Sequence, residues 1–202
     1  EKIIEDFKNH KYDILLGTQM ISKGLDFPNV TLVIVLNGDS TLNVPDYRSS
    51  EKSFDLLTQV SGRSGRNKPG VALIQTYNPN HYSIEYSKTH DYKSFYNKEI
   101  SIRKKLYYPP FCHIVSIRIL SSIYEKGNIE IEKIKKYLLN NLDNKYIVLG
   151  PSISIKINNI YRFQLIIKYK EKDKLYEVLN NINNNIKRNG IKLEIDFNPI
   201  RL

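Results

Sequence analysis

Ile14-Leu15-Leu16-Gly17-Thr18-Gln19-Met20-Ile21-Ser22-Lys23-Gly24-Leu25-Asp26-Phe27-Pro28-Asn29-Val30-Thr31-Leu32-Val33-Ile34-Val35-Leu36 runs from a short apolar segment, through a loop, into a longer apolar segment. Both apolar segments read as strands buried on two faces, the pattern of a parallel sheet covered by helices. Upstream, Ile3, Ile4 and Phe7 recur at helical spacing. Downstream, Phe54, Leu57 and Val60 share one face of a helix expected between Ser50 and Val60, with Ser50 as its cap. Gly70 then opens a third strand, Val71 to Thr76. Strand, loop, strand, helix and strand in this order build part of an α/β nucleotide-fold lobe.

The stretch from Asn78 to Arg103 is rich in Tyr, His and Lys and is expected to be helical in its later part. It leads into Tyr107-Tyr108-Pro109-Pro110, whose prolines cannot continue a helix. A domain boundary is placed near this pair, dividing the chain into 1–102 and 103–202. The second part has its own rhythm: a strand from His113 to Ser121, then a helix from Ile129 to Leu142 with Ile131, Ile134, Leu138 and Leu142 on one side. A strand over Lys145 to Ile157 is interrupted by Gly150-Pro151, and Tyr161 to Tyr169 forms the next. A helix from Asp173 to Arg188 and a final strand from Ile191 to Phe197 complete the order β-α-β-β-α-β, that of a ferredoxin-like split βαβ unit.

Charge separates the same two parts. The chain of 202 residues carries a formal net charge of +10. Residues 1–101 hold 12 Lys+Arg and 12 Asp+Glu, so the whole excess lies in 102–202, with 19 basic and 9 acidic residues. A neutral first part beside a strongly basic second part points to a polyanionic partner for the latter. A solvated lysine- and asparagine-rich surface would give the same count. No apolar run approaches the roughly 20 residues that cross a bilayer. The single cysteine, Cys112, rules out an internal disulfide framework and a multi-cysteine zinc site within these residues. A start at Glu1 rather than Met suggests a piece of something longer.

Two motifs carry chemistry. In the loop after Leu16, Gly17 and Gly24 let the backbone pass close to a phosphate, and Thr18 and Lys23 can touch one. Asp26 offers a carboxylate to a ribose hydroxyl or a metal-bound water. An ordinary connection between strand and helix is the competing reading. The second motif is Gln59-Val60-Ser61-Gly62-Arg63-Ser64-Gly65-Arg66. Its glycines free the backbone, so the guanidinium forks of Arg63 and Arg66 can converge on one anion, matching a phosphate bidentately. A solvated basic turn is the alternative. His10, His81, His90 and His113 have no partner at metal-ligand spacing and read as structural or surface residues.

At this order and spacing the two motifs resemble helicase motifs V and VI of superfamily 2. The strings GTQMISKGLDFPNVTLV, PDYRSSEKSFDLLTQVSGRSGR, GVALIQTYNP, HDYKSFYNKEISIRKKLYYPPF and VLGPS with YRFQLIIK narrow the resemblance to the primosomal protein N′ family of replication-restart helicases. The resemblance covers nearly the whole chain; Asn37-Gly38-Asp39 and Phe163 are its modest departures. It implies a bacterial, cytoplasmic, nucleoid-associated ATP-dependent 3′→5′ DNA helicase that recognises stalled or branched forks and reloads the replicative helicase. The chain would then be a C-terminal fragment: a partial RecA-like lobe 2 followed by the basic α+β domain.

By that resemblance Gln59, Arg63 and Arg66 contact ATP, with Arg66 as arginine finger and Arg63 next in line. Gly17, Thr18, Lys23, Gly24 and Asp26 touch the DNA backbone and couple it to the nucleotide. Lys156, Arg162, Lys168 and Lys170, flanking the central hairpin of the basic domain, are candidate DNA contacts. Expected partners are single-stranded and forked DNA, single-strand-binding protein, and primosome and helicase-loading proteins, with no membrane. Expected cofactors are ATP and Mg²⁺, plus Zn²⁺ elsewhere in the full-length protein and no metal in these residues. No Gly-x-x-x-x-Gly-Lys-Ser/Thr phosphate loop occurs in the sequence, so half of an ATP site is expected here. A RecG-like motor and a non-catalytic nucleic-acid-binding module are the alternatives. The pairs Tyr107-Tyr108 and Tyr161-Phe163 can either stack on bases or pack internally.

Overall fold

A computed structural model describes residues 2–18, 27–62, 70–185 and 190–202, without the side chains of 154 and 155. The chain divides into two compact units, Glu1–Ser101 and Ile102–Leu202. Each is treated by itself.

In the first unit, α1 (Lys2–Lys8) is followed by β1 (Leu32–Val35), α2 (Ser49–Ser61), β2 (Val71–Ile74) and α3 (Tyr82–Lys88), and α4 (Tyr92–Leu106) carries the chain across the boundary. β1 and β2 pair in parallel, with Leu32 opposite Val71 and Ile34 opposite Leu73. That pairing agrees with an α/β lobe; burial on two faces does not. Leu32, Ile34, Val71 and Leu73 lie on one face and are each about half exposed. Among the described residues only the opposite face of this two-stranded sheet is covered. The apolar run Ile14-Leu15-Leu16 is likewise no strand: it has no ladder partner among the described residues, and Ile14 and Leu16 are exposed. A strand exists through its inter-strand hydrogen bonds, which hydrophobicity alone cannot replace.

Helix α2 buries Phe54 and Leu57 as its spacing requires. Its start differs from expectation. Ser50 is not the cap; Arg48 holds that position and makes no side-chain cap bond. Asp46 organises the turn instead, accepting from the Arg48 backbone N–H (2.9 Å) and from its guanidinium Nε (2.9 Å). Phe54 stacks on Phe95 of α4 with centroids 4.2 Å apart, and Phe95 in turn stacks on Tyr82 of α3. Buried Glu99 accepts from the Tyr82 hydroxyl at 2.5 Å, which satisfies part of a carboxylate that burial would otherwise penalise.

The second unit is β3 (His113–Ser121), α5 (Tyr124–Asn141), β4 (Ile147–Ile157), β5 (Ile160–Tyr169), α6 (Asp173–Asn185) and β6 (Ile191–Phe197). The sheet order is β4-β5-β3-β6 with every neighbouring pair antiparallel, the split βαβ arrangement. Odd-numbered residues of β3 and β5 face the helices: Val115, Ile117, Ile119, Phe163, Leu165 and Ile167 are almost wholly buried against Ile131, Ile134 and Leu138 of α5 and Leu175, Val178 and Leu179 of α6. Each such side chain contributes roughly 1.5–3 kcal/mol on leaving water. Helix α5 begins at Tyr124, five residues before the expected Ile129, because Ser121 Oγ bonds the Ile123 N–H (3.1 Å) and the turn closes early. Gly150-Pro151 bends β4 without ending it: the ladder shifts register between Leu149 and Ser152 and continues. Gly150 has φ +100°, and a Cβ there would lie 2.8 Å from the Gln164 carbonyl oxygen. The described part of α6 ends at Asn185, so Ile186, Lys187 and Arg188 of the expected helix lie outside the described residues.

Candidate functional site

The phosphate-contacting motifs enter and leave regular structure at defined points. After Leu16, Gly17 and Thr18 are exposed and irregular, while Lys23, Gly24 and Asp26 lie outside the described residues. The loop returns at Phe27, whose ring meets Phe7 of α1 edge-on at 5.3 Å. Asn29 Nδ2 sits 3.3 Å from His10 Nε2. The C-terminal end of the motif is therefore held at α1, the helix that Ile3, Ile4 and Phe7 predicted, and at His10 just beyond it.

The second motif leaves α2 in the same way. Gln59 is exposed on its last turn. Ser61 Oγ donates to the Thr58 carbonyl (3.1 Å) and sits 3.0 Å from His90 Nε2. Gly62, the C-cap, donates its N–H to Thr58 O at 3.1 Å. The helix thus ends where the glycine-arginine run begins; Arg63 and Arg66 lie outside the described residues.

Asp39 is a residue the sequence reading passed over as a mere departure. It is buried beyond the end of β1 and accepts from Thr76 Oγ1 (2.8 Å), the Tyr77 N–H (2.7 Å) and Asn78 Nδ2 (3.2 Å). The Tyr77 N–H, more than any other group, holds its carboxyl below the usual aspartate range. Asp39 thereby ties together the C-terminal ends of the two parallel strands, the side on which open α/β sheets bind ligands. The signal was an acidic residue just past an apolar strand, which spacing alone cannot distinguish from a loop aspartate.

The four basic candidates of the second unit do not form one group. Lys156 is exposed near the β4–β5 turn, its Nζ 4.8 Å from the Tyr161 ring centroid. Lys170 is exposed just past β5, 5.7 Å from the Tyr107 centroid. Arg162 is half-buried on the sheet face away from the helices. Lys168 must be withdrawn as a DNA contact. It is 6% exposed, donates from Nζ to the Leu106 carbonyl at 2.9 Å and lies 3.5 Å from the Tyr108 centroid. Burial pushes its ammonium below the ordinary lysine range. Its role is to cap the last carbonyl of α4 and hold residues 106–108 on the sheet. Of the two readings open for Phe163, base stacking and internal packing, packing holds, since the ring is wholly buried in the core. Among the described residues no group of three or more His, Cys, Asp or Glu can hold a metal ion.

Lys168→Met keeps the length of the side chain and removes the charge. It should cost about 1–3 kcal/mol, the usual penalty for an orphaned polar partner, in chemical denaturation of the second unit. DNA affinity should change little; a loss of affinity without a loss of stability would restore Lys168 as a contact.

The parallel β1–β2 pair and an α2 that ends where the glycine-arginine run begins agree with the class expected from the motifs, a helicase motor lobe. The family model described as "Helicase conserved C-terminal domain" matches residues 1–68, and "Primosomal protein N C-terminal domain" matches residues 104–200. The chain is 48% identical to the replication restart protein PriA of Bacillus subtilis, covering 98% of the chain and 26% of that protein. It is 38% identical to the PriA of Borreliella burgdorferi (98% of the chain, 31% of that protein) and to that of Synechocystis (99% and 24%). The chain belongs to the PriA family of replication restart proteins. It spans 24–31% of the length of these relatives.

Proposed function

We propose that the chain is the rear part of a motor lobe and the basic accessory domain of an ATP-dependent 3′→5′ DNA helicase that recognises stalled or branched forks and promotes primosome assembly. The observation that carries this reading is the joining, in one chain, of a helicase C-terminal match over 1–68 to a basic split βαβ unit matched over 104–200. Residues 1–102 supply motor elements and 103–202 the DNA-binding domain. Arg66, Arg63 and Gln59 reach the ATP phosphates from lobe 2, while Gly17, Thr18, Lys23, Gly24 and Asp26 link DNA to nucleotide. ATP and Mg²⁺ are completed by a phosphate loop that this sequence does not contain. Single-strand-binding protein and helicase-loading proteins are the partners, at the bacterial nucleoid.

The full-length protein should unwind forked DNA with 3′→5′ polarity and ATP dependence in a strand-displacement assay. Absence of ATP-dependent unwinding would overturn the helicase reading. The 202-residue chain alone should show no ATPase activity above background, because arginines cannot position β- and γ-phosphates and magnesium by themselves. Turnover in a clean preparation of the chain would show that these residues hold more than half a site.

A further inference from the structure

The face of the second unit's sheet that turns away from α5 and α6 carries two arginines that form no ion pair among the described residues. The strand register sets its side chains in rows. Ser152, Gln164, Arg118 and Glu194 stand side by side in one, and Arg162, Leu120 and Lys192 in the next. Arg118 and Arg162 are therefore diagonal neighbours across β3 and β5, a relation that puts Cβ atoms about 7–8 Å apart.

The face carries other charges too. Glu194, opposite Arg118, pairs with Lys192 Nζ at 2.7 Å, Lys168 is buried beneath Tyr108, and Asp196 is a carboxylate lining the same cavity as Arg118. Arg118 donates to the Arg201 carbonyl at 2.9 Å, which steadies its fork without neutralising it. Arg162 has its Nε buried with no hydrogen-bond partner. A buried donor left unmet in the middle of an antiparallel sheet is a cost that calls for a compensating role. Between the two arginines Gln164 is held by its bond to the buried Ser116 Oγ at 2.8 Å, a neutral spacer where a carboxylate would have quenched both charges. Beside Arg118 a cavity of about 570 Å³ opens, lined also by Asp196, Asn198, Ile200 and Arg201.

We propose that Arg162 and Arg118, with Gln164 between them, bind the phosphodiester backbone of single-stranded DNA on this open sheet face; the proposal rests on the DNA-binding reading above. Each guanidinium fork fits a phosphate bidentately. The aromatic residues of β5, Tyr161, Phe163 and Tyr169, occupy odd positions and turn to the helices, so none of them lies on this face for a base to stack on. Tyr108 covers Lys168 further along the face, and recognition at the two arginines themselves goes through phosphates and is blind to sequence.

The test is fluorescence anisotropy of a labelled oligothymidylate titrated with the full 202-residue chain at several salt concentrations. The variants are Arg162→Gln, Arg118→Gln and their combination, with Lys136→Ala, which removes one exposed cation on α5, as the control for each single charge lost. Loss of two single-strand phosphate contacts should flatten the slope of log affinity against log salt by about 1.4. The double variant should bind roughly tenfold or more weakly, as expected for charge-assisted hydrogen bonds. Lys136→Ala should stay near the parent. Arg162→Lys keeps a charge on the sheet, and with circular dichroism as a folding check it covers the case in which Arg162→Gln does not fold. It should retain part of the slope and lose affinity. If the parent chain binds but the double variant matches Lys136→Ala, the surface lies elsewhere and this proposal is overturned while the DNA reading stands. If the parent chain does not bind the oligonucleotide at all, the DNA reading of the second unit fails, and this proposal with it. Tighter binding of polyglutamate than of the oligonucleotide, lost in the double variant, would make the face a site for an acidic protein segment and overturn the DNA assignment.

Discussion

Arg66→Ala in the full-length protein is expected to lower the DNA-stimulated ATPase rate by about 10³- to 10⁵-fold, the range typical of arginine fingers. The planar fork follows negative charge as it moves onto the γ-phosphate oxygens, so its contribution is concentrated in the transition state. DNA affinity should be nearly intact, because the interaction lost is with nucleotide. Arg66→Lys should rescue little, since an ammonium keeps the charge but not the bidentate geometry. Asp26→Ala should act differently, weakening the dependence of turnover on DNA more than the basal chemistry. Steady-state ATPase against forked DNA, with binding measured in parallel, separates the cases. If Arg66→Ala retains more than about a tenth of the parent rate, a loss below 1.4 kcal/mol, Arg66 is not the finger and Arg63 is the next candidate.

The second unit was more legible in the sequence than the first, for a physical reason. Each of its strands has at least one ladder partner and a helical layer within the chain, so hydrophobic pattern and real burial coincide: the expected bounds His113–Ser121 and Ile191–Phe197 are those of β3 and β6. In the first unit, Ile14-Leu15-Leu16 has strand composition but no ladder partner among the described residues, and Leu32 and Ile34 lack a cover on one face. Composition reports what a segment can do, whereas pairing depends on what stands beside it. The candidate site is legible only as motifs, because glycine and arginine at fixed spacing point to phosphate contact without knowledge of the fold, and Lys23, Gly24, Asp26, Arg63 and Arg66 lie outside the described residues. The buried roles of Asp39 and Lys168 were not legible. Each depends on a contact across long sequence separation, Asp39 to Thr76 and Lys168 to Leu106. Net charge likewise counted Lys168 with the exposed lysines, although only register and packing decide which cations face solvent.

Gly127→Val should destabilise the second unit sharply, although glycine is ordinarily a poor residue inside a helix. A Cβ at Gly127 of α5 would overlap Cε2 of Phe163 and lie 2.8 Å from its Cδ2. Phe163 is wholly buried among Val115, Ile117, Ile131 and Leu165, so its ring has no free space to enter. Two effects oppose one another. Replacing a glycine by alanine gains at most roughly 0.8–1 kcal/mol of helix propensity, the helix-interior value, at this fourth residue of α5, whereas overpacking a full core costs typically about 1–3 kcal/mol. The overlap falls on a ring in a close-packed interior rather than on the tip of a flexible chain, so the steric cost wins. Gly127→Ala should be net destabilising by about 1 kcal/mol, and Gly127→Val more so, since β-branching also restricts its rotamers in a helix. A loss of that size lowers the melting temperature of a unit of about 100 residues by roughly 4–8 °C per kcal/mol. Phe163→Leu should cost stability alone yet partly rescue Gly127→Ala, because the smaller side chain vacates the space the new methyl needs. The favourable coupling in a double-mutant cycle should then lie in the 0.5–3 kcal/mol range of residues in contact. Additive losses in that cycle, or a Gly127→Ala chain that melts higher than the parent, would show that the ring yields freely and that helix propensity decides the outcome.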